Sequence, residues 1–148
     1  MSRNTPMIVD ANVLIYAVDS SSSHHREASD WLESALSGPE RVGLPWVSLI
    51  AFQRICTNPR LFDHPLSPAA ASDLIDAWAE HPNTWIPTPS PNHAHILRML
   101  TVNNEAVGNL VTDAHLAALA IEHGTSVCSF DRDFARFHGV QWVNPLDR

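Results

Sequence analysis

Four aspartates carry the spacing that points to chemistry. Asp10 follows directly on the apolar triplet Met7-Ile8-Val9. Asp131 closes the apolar run 126–130, and Asp133 comes two residues later. Asp113 opens the strongly apolar stretch that feeds that run. Carboxylates brought together repel, and they stay ionised at low cost only with a cation between them. Hard oxygen donors without a Cys or His set select Mg²⁺ or Mn²⁺. Such an ion polarises a phosphate and activates water for in-line attack on a phosphodiester. Taken singly, each Asp has a plainer role as a turn former, a helix cap or a first-turn acid. Asp133 would cap a short helix over 133–137, and Asn12 would be a turn residue. Acids that merely fill turns have no reason to share one edge, so their joint placement is the argument for a site.

The surrounding elements decide whether the acids meet. Residues 7–9 read as a short buried strand, and the apolar residues 13–18 begin a helix or turn beyond it. A helix runs from Ser23 or His24 through Leu36, with Ala28, Trp31, Leu32 and Ala35 on one face and Gly38-Pro39 as its stop. Residues 42–47 read as a second strand. Ser48 reads as the N-cap of a helix over 49–57, ended by Asn58-Pro59. Ser67-Pro68 is a cap-then-proline start for a helix to about Glu80, with Ala71, Leu74, Ile75 and Trp78 inward. Residues 85–87 form a short strand or extended piece. Ser90-Pro91 starts a helix carrying Ile96, Leu97 and Leu100. Asn109 or Thr112 precedes the apolar helix 113–123, which Gly124 stops. Residues 126–130 are a buried strand, and 140–143 a last short one. Strands alternating with helices predict an α/β fold whose parallel sheet is covered on both faces. Ligands of such sheets bind beyond the carboxyl ends of the strands. Asp10 and Asp131 then share that edge, and Asp113 reaches it if its helix begins there.

Three stretches resemble one family. Ile8-Val9-Asp10-Ala11-Asn12-Val13-Leu14 is similar to the opening motif of PIN-domain proteins. Thr112-Asp113-Ala114-His115-Leu116-Ala117-Ala118-Leu119-Ala120 is similar to their central helix, and Ser129-Phe130-Asp131-Arg132-Asp133-Phe134 to their closing motif. The order is right and the motifs span nearly the whole chain. The length, and the segments around Pro45-Trp46-Val47-Ser48 and Thr57-Asn58-Pro59-Arg60, resemble the VapC toxins of bacterial toxin–antitoxin pairs. The resemblance implies one three-layer α/β/α domain over 1–148 with a short, mostly parallel central sheet. It implies a Mg²⁺-dependent endoribonuclease, with Mn²⁺ as a substitute, acting on a structured RNA or a single-stranded loop such as those of tRNA or rRNA. It further implies a homodimer held inactive by a VapB-type antitoxin. Carried over by position, Asp10, Asp113 and Asp131 match the metal-binding acids. Asp133 matches an acid close to the site, Asn12 the polar residue that orients the first Asp, and Ser129 a supporting position of the closing motif. One departure stands out. The family usually has a Glu on the helix after the second strand, and here Gln53 or Arg54 occupies that place. An amide or a guanidinium can hold a water or a phosphate, but neither restores the negative charge.

Composition narrows the choice of function. At 148 residues, with 45% hydrophobic and 17% charged, the chain is a normal globular mix of single-domain size. No apolar run approaches the roughly 20 residues of a membrane helix. The short apolar run after residues 1–6 is no secretory signal, so the chain is read as cytoplasmic. Cys56 and Cys128 have no metal-type spacing and read as reduced thiols. Acids outnumber bases 16 to 9 and there is no Lys, which argues against a broad basic surface for duplex DNA. That balance suits a local carboxylate site and a basic protein partner.

The nine His lack the paired spacing of a zinc site. His24-His25 and His93-x-His95 read as surface or capping residues, and His115 as off the face of Asp113. Trp31 and Trp78 fit core faces, while base stacking on Trp46 or Trp85 ranks below packing. Arg26, Arg54, Arg60 and Arg132 are the candidate phosphate contacts, Arg132 best placed between two site acids. Beside the nuclease reading stands an attenuated binding module of the same fold, supported by the absent Glu. An aspartyl-phosphate phosphatase ranks lower, because Asn12 replaces its second acid and no Lys can clamp phosphate.

Overall fold

The computed structural model describes residues 6–147. The lead segment 1–5, which bears on the signal-peptide reading, lies outside the described residues. Strand β1 (Met7–Val9) runs into helix α1 (Ala11–Val18), followed by α2 (His25–Leu36). Then come β2 (Val42–Gly43), α3 (Trp46–Cys56), α4 (Pro68–Ala79) and β3 (Thr84–Trp85). The chain continues through α5 (His93–Asn103), α6 (Asn109–His123), β4 (Ser126–Cys128) and β5 (Trp142–Val143). A 3-10 turn over Arg132–Arg136 separates the last two strands. The five strands lie in the order β3-β2-β1-β4-β5, and every pairing is parallel. The first three crossovers each carry two α-helices, which cover both faces, and the last, from β4 to β5, is made by the 3-10 turn.

The side-chain alternation of β1 builds the two cores. Met7 and Val9 face a core shared with Leu14, Leu32, Leu49, Phe52 and Trp78, contributed by α1 to α4. Ile8 faces the other way, onto Leu116, Ala117, Ala120 and Val127 beneath α6. A strand buried on both faces must be apolar at every position, and 7–9 is. Alanines 114, 117, 118 and 120 let α6 sit close to the sheet while α5 packs on its outer side. Gly43 is needed where β2 passes under its neighbours, since a Cβ there would stand 3.0 Å from Ile8 and 3.1 Å from Trp85. The three-layer α/β/α arrangement with a parallel sheet is the one expected.

Several boundaries shift, each for a local reason. The second strand ends at Gly43, because Pro45 caps α3 and the helix begins at Trp46. Ser48 is therefore inside the helix, and its hydroxyl donates to the Val9 carbonyl at 2.7 Å. Helix α5 starts at His93 rather than at Ser90-Pro91. Helix α6 starts at Asn109, a turn earlier than a start at Asp113, with Gly108 as N-cap at φ 59°, ψ −133°. That conformation is essentially confined to glycine. Strand β4 stops at Cys128, so Ser129 and Phe130 belong to the loop that carries Asp131.

Candidate metal centre

Asp10 is fixed from three sides. Its backbone N–H donates to the Cys128 carbonyl at 3.0 Å, tying the end of β1 to the end of β4. Its Oδ1 caps α1 by accepting from the Ala11 N–H at 2.7 Å. Its Oδ2 accepts from the Ser129 hydroxyl at 2.6 Å and from the Asn12 amide at 3.3 Å. Asn12 also donates to Ser129 Oγ at 3.1 Å and accepts from the Phe130 N–H at 3.2 Å. Ser129 in turn accepts from the Asp131 N–H at 2.9 Å. The motif residues Asn12 and Ser129 thus form a small network that holds both acid-bearing loops in one arrangement. Asp131 then caps the 3-10 turn by accepting from the Asp133 N–H at 2.9 Å.

Carboxylate oxygens of Asp113, Asp131 and Asp133 lie within 4.8 Å of one another. Asp10 stands just outside that set, close enough that its charge acts on Asp113. Asp113 is 8% exposed and sits in the second turn of α6, not at its start. Burial, then the charges of Asp10 and Asp131, push its carboxyl up to about 7, helped by a proton shared with Asp131 and by Asp133. Burial also raises Asp10; the Ser129 and Ala11 hydrogen bonds oppose the shift, and Asp131 adds to it. The set is therefore over-charged on its own, and its donors are the hard oxygens that Mg²⁺ and Mn²⁺ prefer. The residues present fit a divalent cation.

The remaining sequence candidates separate. Arg132 is exposed between Asp131 and Asp133, and makes no ion pair among the described residues. Arg136 leans on Asp133 at 3.6 Å. Gln53 donates to Ser72 of α4 at 3.5 Å, and Arg54 is exposed. They lie roughly 140° and 120° around α3 from Ser48, the residue that faces the end of β1. The structure thus brings neither to the hydrogen-bonded acid network. Ala51 and Phe52 lie on the Ser48 side instead.

The histidines have partners that their spacing did not announce. His24 carries no side-chain cap; it stacks on Phe130 with ring centres 5.0 Å apart, and Tyr16 meets the same ring edge-on at 5.2 Å. His93 Nδ1 donates to Glu122 at 2.5 Å, and its Nε2 shares a hydrogen bond with His115 Nδ1 at 3.0 Å. Burial works to raise Glu122, yet the Ser90 N–H and His93 bring it below its ordinary value. Burial, then His93, lowers His115, with Glu122 opposing. This assembly joins α5 to α6, so His93 is neither a surface nor a capping residue. Its sequence signal was the seven-residue spacing of His115 and Glu122, which share a helix face. Cys56 and Cys128 are free and buried, and burial pushes the Cys56 thiol up to about 12.

Comparison with known proteins identifies the family and the fold. The family model "PIN domain" matches residues 7–140. Ribonuclease VapC37 of Mycobacterium tuberculosis is 50% identical over 139 residues, covering 93% of this chain and 96% of that protein. Ribonuclease VapC33 of the same species is 36% identical over 140 residues, covering 95% and 98%. Among solved structures, VapBC2 from Rickettsia felis bound to a promoter DNA fragment aligns at a TM-score of 0.69 and 15% identity, over 94% of this chain and 98% of that one. Mycobacterium tuberculosis VapC20, a sarcin–ricin loop cleaving toxin, aligns at 0.63 and 17% identity, over 91% and 98%. The structural likenesses, at that identity, speak for the fold alone. With the acid motifs in place and half of its residues shared with VapC37, the chain belongs to the PIN-domain family and, within it, to the VapC ribonucleases.

Proposed function

We propose that the protein is a Mg²⁺-dependent endoribonuclease toxin that hydrolyses RNA phosphodiesters and is neutralised by a VapB-type antitoxin. One observation carries the reading. Asp113, Asp131 and Asp133 converge at the carboxyl edge of a parallel sheet with Asp10 beside them, and burial together with the neighbouring charges holds Asp113 near 7. A site strained in this way calls for a cation. Asp10, Asp113 and Asp131 would hold it, with Asp133 beside them. When bound, the ion supplies positive charge to the phosphate and makes water a stronger nucleophile. The chain's own part is positional. Ser129 and Asn12 hold Asp10 against the loop of Asp131, and exposed Arg132 offers a bidentate grip on a phosphate oxygen pair.

The excess of acids suits a basic antitoxin segment and a short, locally gripped RNA, in a loop or single strand, such as those of tRNA or rRNA. A homodimer working in the cytoplasm completes the reading. Among the described residues no helix is long and apolar enough to cross a membrane. The lack of a Glu on α3 leaves the attenuated module as the second reading. The test is cleavage of a total-RNA pool by antitoxin-free protein, with Mg²⁺ and with chelator, beside Asp10→Asn. Discrete fragments that need both Mg²⁺ and Asp10 support the nuclease. A folded sample that cuts nothing supports the module.

A further inference from the structure

Of the five tryptophans, Trp31 and Trp78 are buried, and Trp85 lies under the Arg41 guanidinium, 4.1 Å from its ring centre. Trp46 is 54% exposed, against the expectation that packing would claim it. Trp142 differs from these in that its polar atom is engaged. It is half-buried on β5, packs against the core beneath α6, and donates its indole N–H to the Ser129 carbonyl at 2.9 Å.

The sheet shows why a side chain has to make that bond. Strand β5 runs parallel to β4, with Val127 opposite Trp142 and Cys128 opposite Val143. Along this ladder the Val127 N–H donates to the Gln141 carbonyl at 2.8 Å, and the Ser129 N–H to the Val143 carbonyl at 3.0 Å. In a parallel ladder a residue's carbonyl accepts from the N–H two residues beyond the carbonyl its own N–H donates to. For Ser129 that position is Pro145, which has no N–H. Ser129 is fully buried, so its carbonyl needs another donor, and the indole supplies it. The Ser129–Phe130 peptide is thereby held at both ends, its C=O by Trp142 and its N–H by Asn12 Oδ1 at 3.2 Å. Ser129 is also the residue whose hydroxyl donates to Asp10 and accepts from the Asp131 N–H.

We propose that Trp142 is a positioning residue of the acid centre. By completing the ladder at Ser129 it fixes how Asp10 and Asp131 stand to one another, and so sets the affinity for a divalent cation. This role rests on the reading of the acids as a metal site. Outer partners of ligands commonly carry such an effect, and coupling between two sites is reciprocal. A cation that binds the acids must therefore also tighten the indole bond.

The experiment uses the intact, antitoxin-free protein. Mn²⁺ affinity is read by calorimetry, and exchange of the indole N–H by NMR with and without Mg²⁺. One variant is Trp142→Phe, which keeps an aromatic ring and loses the donor. The other carries benzothienylalanine at position 142, an analogue with the indole shape and sulfur in place of the N–H. Both variants should bind Mn²⁺ about tenfold more weakly than wild type while melting cooperatively. RNA cleavage should fall in kcat with KM little changed. In wild type, Mg²⁺ should slow exchange of the Trp142 indole proton, and Asp113→Asn should remove that slowing. The proposal is overturned if the benzothienylalanine protein binds Mn²⁺ as wild type does, because packing then suffices. It is overturned equally if Mg²⁺ leaves the indole exchange unchanged. Should Trp142→Phe fail to fold, the analogue, whose shape is kept, decides alone. Mn²⁺ binding that depends on the indole N–H without RNA cleavage would sink the nuclease reading while the role of Trp142 stands; a wild type that binds no Mn²⁺ would sink both.

Discussion

At the scale of single residues, the site works through charge held under strain and through the groups that hold it. Asp113→Asn removes one of the proposed metal ligands and the charge of one of four neighbouring acids. RNA cleavage should fall by a factor on the order of 10² or more, read as initial rate in Mg²⁺. Ser129→Ala deletes the donor to Asp10 Oδ2 and the acceptor for the Asp131 N–H, both within hydrogen-bonding distance. Leaving those partners unmatched should cost about 1–3 kcal/mol in thermal or denaturant unfolding. It should also cost roughly 10–100-fold in activity through misplaced acids rather than a lost ligand. Ser129→Thr, which keeps the hydroxyl, should recover most of the rate. Asp10, Asp131 and Asp133 were legible in the sequence because they follow apolar strand runs, whereas Asp113 on its helix, Asn12 and Ser129 were picked out by the motifs they share with the family. Ser48, the His93–Glu122 pair and exposed Trp46 were not, because their partners lie 39 residues away, 29 residues away and in solvent respectively.

At the scale of elements, two joints decide where the acids stand. The first is the start of α6. Gly108 holds a positive φ that a side chain resists, and five residues later comes Asp113. Gly108→Val should cost about 1–3 kcal/mol by backbone strain and shift the first turn of α6. Unfolding measured beside Mg²⁺ affinity would show both falling together. The second joint is His93 on Glu122, whose side chain is 1% exposed. His93→Ala strands a buried carboxylate and should destabilise by about 3 kcal/mol, with α5 loosening first in hydrogen exchange. Element order, sheet type and the two-sided cover followed from alternating apolar runs. Element ends did not. The apolar run 42–47 belongs to two elements because Pro45 turns the chain out of the sheet after Gly43. The expected start at Asp113 left out a first turn, 109–112, whose Leu110 packs against the core beneath α6. The layer order came from resemblance as much as from periodicity, since two- and three-residue strands carry almost no period of their own.

At the scale of the whole molecule, the acid centre couples pH, cation and stability. The Asp113 carboxyl titrates near its ordinary 3.8 in the unfolded chain and at about 7 in the fold. Between those values the folded state holds a proton that the unfolded state has lost. Stability of the metal-free protein must therefore fall as pH rises from about 4 to 7. Asp10, raised in the same direction, adds to the trend. A divalent cation favours the ionised set, so added Mg²⁺ should raise Tm at pH 8 and do little at pH 5. Asp113→Asn should raise the metal-free Tm at pH 8 and abolish most of the Mg²⁺ response. The measurement that bears most directly on the central claim is a calorimetric titration of Mn²⁺ into the antitoxin-free protein at pH 8 and pH 6, wild type beside Asp113→Asn, with RNA cleavage followed on the same samples. Binding is expected at pH 8 and weaker at pH 6, with proton release near neutral pH, loss of binding in the variant, and cleavage that tracks the bound fraction. Equal binding by both proteins, or cleavage that persists in chelator, would contradict it.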